Sequence, residues 1–144
     1  MGQPLTSKNR FDRGETNLLL GMGSFWEGAD FAQQDKVIEV ITRLPFDNPK
    51  DPFYQKIESL FSKQGKSTFD SYSLPMMVLR FKQAIGRAQR RPEQRSAILL
   101  MDNRPLVKSY GKLFIKEVSQ EVTLRHAPFK QIKEDIQEFL EKEC

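Results

Sequence analysis

Two short runs rich in β-branched and aliphatic residues, VIEVITRL at 37 to 44 and SAILLMDNR at 96 to 104, flank a stretch whose apolar residues recur at helical spacing. LLLG at 18 to 21 is a third such run. Each is bounded by polar or turn residues, the pattern of strands buried on both faces as in a parallel sheet. In KDPFYQKIESLF, Asp51 can cap and Pro52 suits a first helical position, while Phe53, Ile57, Leu60 and Phe61 repeat with the period of a helix; a helix over 52–63 follows. SLPMMVLRFKQAIGRAQRR predicts another over 73–91, and residues 106–117 and 128–142 predict two more, the last with an apolar stripe of Phe129, Ile132, Ile136, Phe139 and Leu140. GKSTFDSY, 65–72, reads as a loop. Strands alternating with helices define an α/β layered fold, a mostly parallel sheet flanked by helices.

The 144 residues make one ordinary domain with no repeat, low-complexity tract or interdomain linker. Lys and Arg outnumber Asp and Glu by 23 to 19, a net charge of +4 that permits an anionic partner without demanding one. No apolar run approaches the roughly 18 residues of a membrane span, and the start, MGQPLTSKNRF, lacks the apolar centre of a signal peptide, so the expectation is a cytoplasmic protein with no membrane partner. The single cysteine is Cys144, which excludes an internal disulfide and an iron–sulfur or other multi-cysteine metal site built from this chain. Its chemistry is metal-free or borrows a metal with a substrate.

At about 100° per residue, Gln83, Gly86, Arg87 and Arg90 gather on one side of the 73–91 helix, and Val78, Phe81, Ile85 and Ala88 on the other. The polar side suits a polyphosphate. Arg offers planar charge-assisted donors, Gln an adaptable amide, and Gly no side chain to block an approaching ligand. The same pattern also describes a plain solvated basic face, and spacing alone does not separate the two. GSFWEGADF, 23 to 31, poses a second question: it follows LLLG directly and puts Trp26, Glu27 and Asp30 where a strand gives way to a loop.

QAIGRAQR resembles the Q-x-x-G-R-x-x-R signature, motif VI, of superfamily 2 helicases, and GSFWEGADF resembles their motif V as found in the DinG and XPD branch. LPFDNPKDP is similar to that branch's L-P-F-x-x-P-x-D-P segment, SYSLPMMVLRFKQ to its run into motif VI, and LLMDNRPLVKSYGKLF to its D-x-R and Y-G-x-x-F tail. The likeness runs in order over residues 11–118, and several motifs at family spacing rarely coincide.

The resemblance implies the RecA-like second lobe of a two-lobed, ATP-dependent DNA helicase of the DinG type, coupling hydrolysis to movement on single-stranded DNA in DNA repair. ATP with Mg2+ would lie between lobes, the first lobe supplying the P-loop, the magnesium-binding acids and the acid that activates water. By that match Arg90 is the arginine finger, Arg87 and Gln83 contact the γ-phosphate or support the finger, and Gly86 keeps the cleft open. Glu27 and Asp30 touch the nucleotide side or organise the arginines, Gly23 and Gly28 shape the loop, and Ser24 donates to a DNA phosphate. Trp26 is either a packing anchor, the more ordinary use of a lone Trp, or a platform for a base. Asp102 and Arg104 read as a structural pair at a strand end; Phe46 reads as turn packing or as a lobe- or DNA-facing aromatic.

Gln94 and Ser96 stand where the family more often has an acid and a glycine, and Ala29 where it more often has Val. No G-x-x-x-x-G-K-[ST] and no D-E-x-H occur, and the strand and helix expected to open a second lobe do not precede MGQPLTSKNRF. The expectation is therefore an N-terminally truncated second lobe over 1–144, inactive toward ATP alone and partnered by a first lobe from the same helicase. The parent would carry either an exonuclease or an iron–sulfur domain. The alternative expectation is a noncatalytic truncated paralogue that binds nucleic acid or a partner through its basic helix.

Overall fold

The computed structural model describes residues 9–15, 18–20 and 33–141. After a helical turn at 9–12, the chain runs through β1 (Lys36–Ile41), α1 (Pro52–Lys63), α2 (Leu74–Ala88), β2 (Arg95–Leu100), α3 (Arg104–Val107), α4 (Gly111–Val118) and α5 (Phe129–Glu141). β1 and β2 pair in parallel, Lys36 opposite Arg95 through Ile41 opposite Leu100. The α/β class and the parallel pairing expected from the apolar runs are both present.

The core forms between the sheet and α2. Val37 and Ile41 point inward from β1 while Ile38 and Val40, 52% and 54% exposed, point away. Against the inward face α2 lays Leu74, Met77, Val78, Phe81, Ala84, Ile85 and Ala88, all buried. Phe114 and Val118 of α4 close the cluster, Phe81 meeting Phe114 edge-on at 5.0 Å between ring centres. Fully burying side chains of this size stabilises the fold by about 1.5–3 kcal/mol each.

Local chemistry sets the start of α1 as the sequence predicts. Asp51 Oδ1 accepts from the N–H groups of Phe53 and Tyr54 at 2.8 and 3.3 Å, with Pro52 in the first turn. Elsewhere the expectations need correction. Phe69–Ser73, with 69–72 expected in a loop over 65–72, is a π-helical turn that runs into α2, tied to α1 by the Tyr54 and Ser73 hydroxyls at 2.9 Å. The single helix expected over 106–117 is two, because α3 ends at Val107 and Lys108 is extended. Of residues 18–21, expected as a strand, 18–20 are described; they have no ladder partner among the described residues, and Leu18 and Leu20 are 73% and 83% exposed. A strand exists only through pairing, which apolar composition cannot supply alone. Among the described residues no helix is long and apolar enough to cross a membrane.

α3 and α4 meet at Gly111, where an added Cβ would lie 1.8 Å from the Pro105 carbonyl oxygen, so backbone must yield to any side chain. Gly111→Ala should cost roughly 2–3 kcal/mol, the upper range for overpacking. Urea unfolding of the variant against wild type checks this; an unchanged midpoint contradicts the contact.

Candidate active site

Three of the four residues expected on the polar side of α2 are there. Gln83 and Gly86 are exposed, Arg87 is half-buried, and Val78, Phe81, Ile85 and Ala88 are buried opposite them. A Cβ added at Gly86 would meet nothing within 4 Å. The helix therefore bears an interior glycine, at a cost of about 1 kcal/mol relative to alanine, for no packing reason within the described chain.

Arg90 corrects the expectation, because α2 stops at Ala88 and does not reach residue 91. Gln89 is extended (φ −123°, ψ 97°), and Pro92 disfavours helix at Arg91. Ser96 Oγ donates to the Ala88 carbonyl, satisfying one terminal acceptor. The Arg90 N–H, which a longer helix would aim at the Gly86 carbonyl, donates instead to Gln94 Oε1 at 2.7 Å. Arg90 thus lies exposed in the loop just beyond the helix end, not on its face at i+7. Arg87 in the last turn and Arg90 past it both sit where the helix dipole favours positive charge.

Beneath Arg87, β1 carries an acid that the sequence reading passed over. Period two places Glu39 with Val37 and Ile41 on the inward face, half-buried. Its buried Oε2 and the buried Nη1 of Arg87 each lack a hydrogen bond. Burial pushes the Glu39 carboxyl from 4.5 up to about 6, and the Arg87 charge pulls it back only in part. The signal was visible: one acid inside VIEVI, in phase with the core residues.

A second polar group closes the C-terminal ends of the strands. Asp102 Oδ2 accepts from the Leu44 N–H at 2.9 Å and from Arg104 Nη2 at 2.5 Å, and Oδ1 accepts from the Arg104 N–H at 3.0 Å. These bonds, the Arg104 side chain foremost, hold the Asp102 carboxyl down at about 2. The Arg104 guanidinium lies 5.2 Å from the centre of the Phe46 ring, which packs with Phe69 and Tyr110 at 5.9 and 5.7 Å. Asp102 and Arg104 are the structural pair that their spacing suggests, and Phe46 is a packing aromatic. Thr42, Arg43, Met101 and Asn103 join the pair around an open hollow of about 500 Å³.

Glu27, Gly28 and Asp30, expected toward the nucleotide, and Ser24 and Trp26, expected toward DNA, lie outside the described residues, as does Gly23. Gln83, Gly86, Arg87 and Arg90 are thus the expected site residues that the structure brings to one end of α2.

Residues 3–121 match the family model of the helicase C-terminal domain. The chain belongs to that family: it is a helicase C-terminal lobe. It is 37% identical over 114 residues to the 3'-5' exonuclease DinG of Bacillus subtilis (strain 168), an alignment spanning 79% of this chain and 12% of that protein. It is 36% identical over 131 residues to the 3'-5' exonuclease DinG of Staphylococcus aureus (strain USA300), covering 91% of the chain and 13% of the relative. With the ATP-dependent DNA helicase YoaA of Escherichia coli (strain K12) the identity is 34% over 98 residues, 68% of the chain and 15% of the relative. The chain thus spans less than a sixth of the length of these curated relatives. No solved structure matches.

A folded-state value raised above the unfolded one means that Glu39 contributes most to stability below about pH 4.5, and that this contribution is lost as pH rises through about 6. Glu39→Gln keeps the neutral form. Its stability relative to wild type should be near zero at pH 4.5 and rise to about 1 kcal/mol in its favour at pH 7.5, allowing for solvent screening. Paired urea titrations at the two pH values check this, and a difference independent of pH contradicts it.

Proposed function

We propose that this chain is the ATP-facing second lobe of a DinG-type DNA helicase, contributing donors from α2 and the following loop to a nucleotide held mainly by a first lobe. The observation that carries the reading is the exposed Gly86, a glycine with open space over it between Gln83 and Arg87 on an otherwise well-packed helix. A glycine kept where alanine would fit and strengthen the helix serves something that must approach the backbone. Flanked by an amide and a guanidinium, that something is a polyphosphate.

In this reading Arg87 and Gln83 hold the terminal phosphate and Arg90 reaches it from the loop. As the bond to the terminal phosphate breaks, charge grows on its oxygens, and the forked guanidinium of Arg90 stabilises that charge more in the transition state than in the ground state. Mg2+ would arrive with the nucleotide and the first lobe, where it neutralises phosphate charge. The residues Glu27, Gly28 and Asp30 join the nucleotide side, and Ser24 and Trp26 the single-stranded DNA side. By itself the chain hydrolyses no ATP, since half of a composite site leaves the phosphates without their cradle. The parent's place is DNA repair inside the cell.

The test joins this chain to the first lobe of a DinG-type helicase and measures DNA-stimulated ATP turnover. Arg90→Ala should lower turnover by about 10³-fold or more, with stability changed by no more than roughly 0.5 kcal/mol. Arg90→Lys should recover little, because an ammonium lacks the forked donor geometry. Gly86→Ala should do the opposite to the two properties, stabilising the chain by about 0.5–1 kcal/mol while lowering turnover. Near-normal turnover in the Arg90→Ala protein sinks this reading and leaves a noncatalytic lobe.

A further inference from the structure

Gln94 is 3% exposed, the least of the buried polar residues among those described. Its amide spans two segments. Oε1 accepts from the Arg90 N–H at 2.7 Å, and Nε2 donates to the Gln34 carbonyl at 2.9 Å. Only one orientation of the amide satisfies both partners, because an N–H needs the oxygen and a carbonyl needs the NH2. Neighbouring bonds stitch the same two segments. Arg91 Nη2 donates to the Gln34 carbonyl at 3.4 Å and pairs with Asp35 Oδ1 at 2.7 Å, and the Arg95 N–H donates to the Asp35 carbonyl at 2.9 Å.

The two segments bear on different parts of the reading above. One is the loop 89–94, which carries Arg90. The other, residues 33–35, leads into β1 and in sequence follows GSFWEGADF after one intervening residue, Ala32. A planar amide with both ends bonded cannot follow one partner while holding the other, and at 3% exposure water does not readily replace either bond.

We propose that Gln94 is a positioning residue that fixes the backbone of Arg90 and couples it to the entry of β1, so that displacement of the segment feeding β1 is delivered to the arginine. This rests on the proposed function, both on Arg90 as the arginine finger and on the segment before β1 as the DNA-facing one. It assigns Gln94 a part in making turnover respond to DNA rather than in holding ATP. A carboxylate in its place would still accept from the Arg90 N–H but would face the Gln34 carbonyl with an acceptor, so Gln94→Glu separates fixing from coupling.

In the two-lobe protein, turnover is measured with Mg-ATP, with and without oligothymidylate. Gln94→Ala should lower kcat about tenfold with KM for ATP changed by no more than about twofold, the signature of an interaction that matters in the transition state. Gln94→Glu should keep most of the DNA-independent rate and lose at least about fivefold of the DNA stimulation ratio, a readout that a merely structural role would not move. Amide hydrogen exchange on the 144-residue chain supplies the second measurement. Exchange at Arg90 should accelerate about tenfold or more in Gln94→Ala and little in Gln94→Glu, with protection across α2 retained in both. Wild-type stimulation in Gln94→Glu overturns the coupling, and unchanged Arg90 exchange in Gln94→Ala overturns the fixing. Wild-type turnover in Arg90→Ala overturns instead the reading on which the catalytic part rests, and the hydrogen-bonded clamp is then decided by exchange alone.

Discussion

One carboxylate holds the two strand ends together. β1 and β2 are short and share one ladder, and just past them the chain leads to Pro45 after one strand and to α3 after the other. Asp102 accepts from the Leu44 N–H across that divergence and from both backbone and side chain of Arg104, while the Arg104 Nη2 reaches the Leu44 carbonyl at 3.4 Å. Leu44 is thereby held by both of its backbone groups and stays 4% exposed in the core. The guanidinium lies on Phe46, which orders Phe69 and Tyr110 and so the π-helical turn into α2 and the approach to α4. Through these rings the knot reaches the start of α2, whose remaining length is held by its buried side against the sheet and α4.

What the knot reaches is a helix that is well packed on one side and poorly optimised on the other. The buried side has large side chains in mutual contact. The open side keeps a glycine that earns no packing, and below it Glu39 and Arg87 each keep a buried polar atom without a hydrogen bond. Such groups are costly in a protein interior. Such features on the side of α2 that leads to Arg90 fit a place where stability yields to function.

The sequence was most informative where physics is local. Asp51 with Pro52 marks the start of α1 because capping involves only adjacent backbone, and the two sides of α2 follow from helical period. The pairing of Asp102 with Arg104 needed a separation of only two residues. Legibility failed where the deciding partner lies far along the chain. Nothing near Arg90 shows that Gln94 will take its N–H, and nothing near Gln94 shows that Gln34, 60 positions away, will bind its amide. The early stop of α2 had a local warning in Pro92, but the Ser96 hydroxyl that caps Ala88 comes from the next strand. Helical period also misplaced Arg90 because it assumes that the helix continues. The family resemblance supplied the likeness to helicases, which periodicity alone left open beside a solvated face.

The outward face of β1 has a practical consequence. Ile38 and Val40 are more than half exposed there, and among the described residues β1 is paired along one edge only. An unpaired edge bearing branched apolar side chains is a template onto which another strand can add. At the entry of the strand, Lys36 faces Arg95 across the ladder, a like-charge pair that discourages extension at that end, while the Val40 end has no such guard. That asymmetry makes protein concentration a variable to hold fixed in every stability or binding measurement on the purified chain.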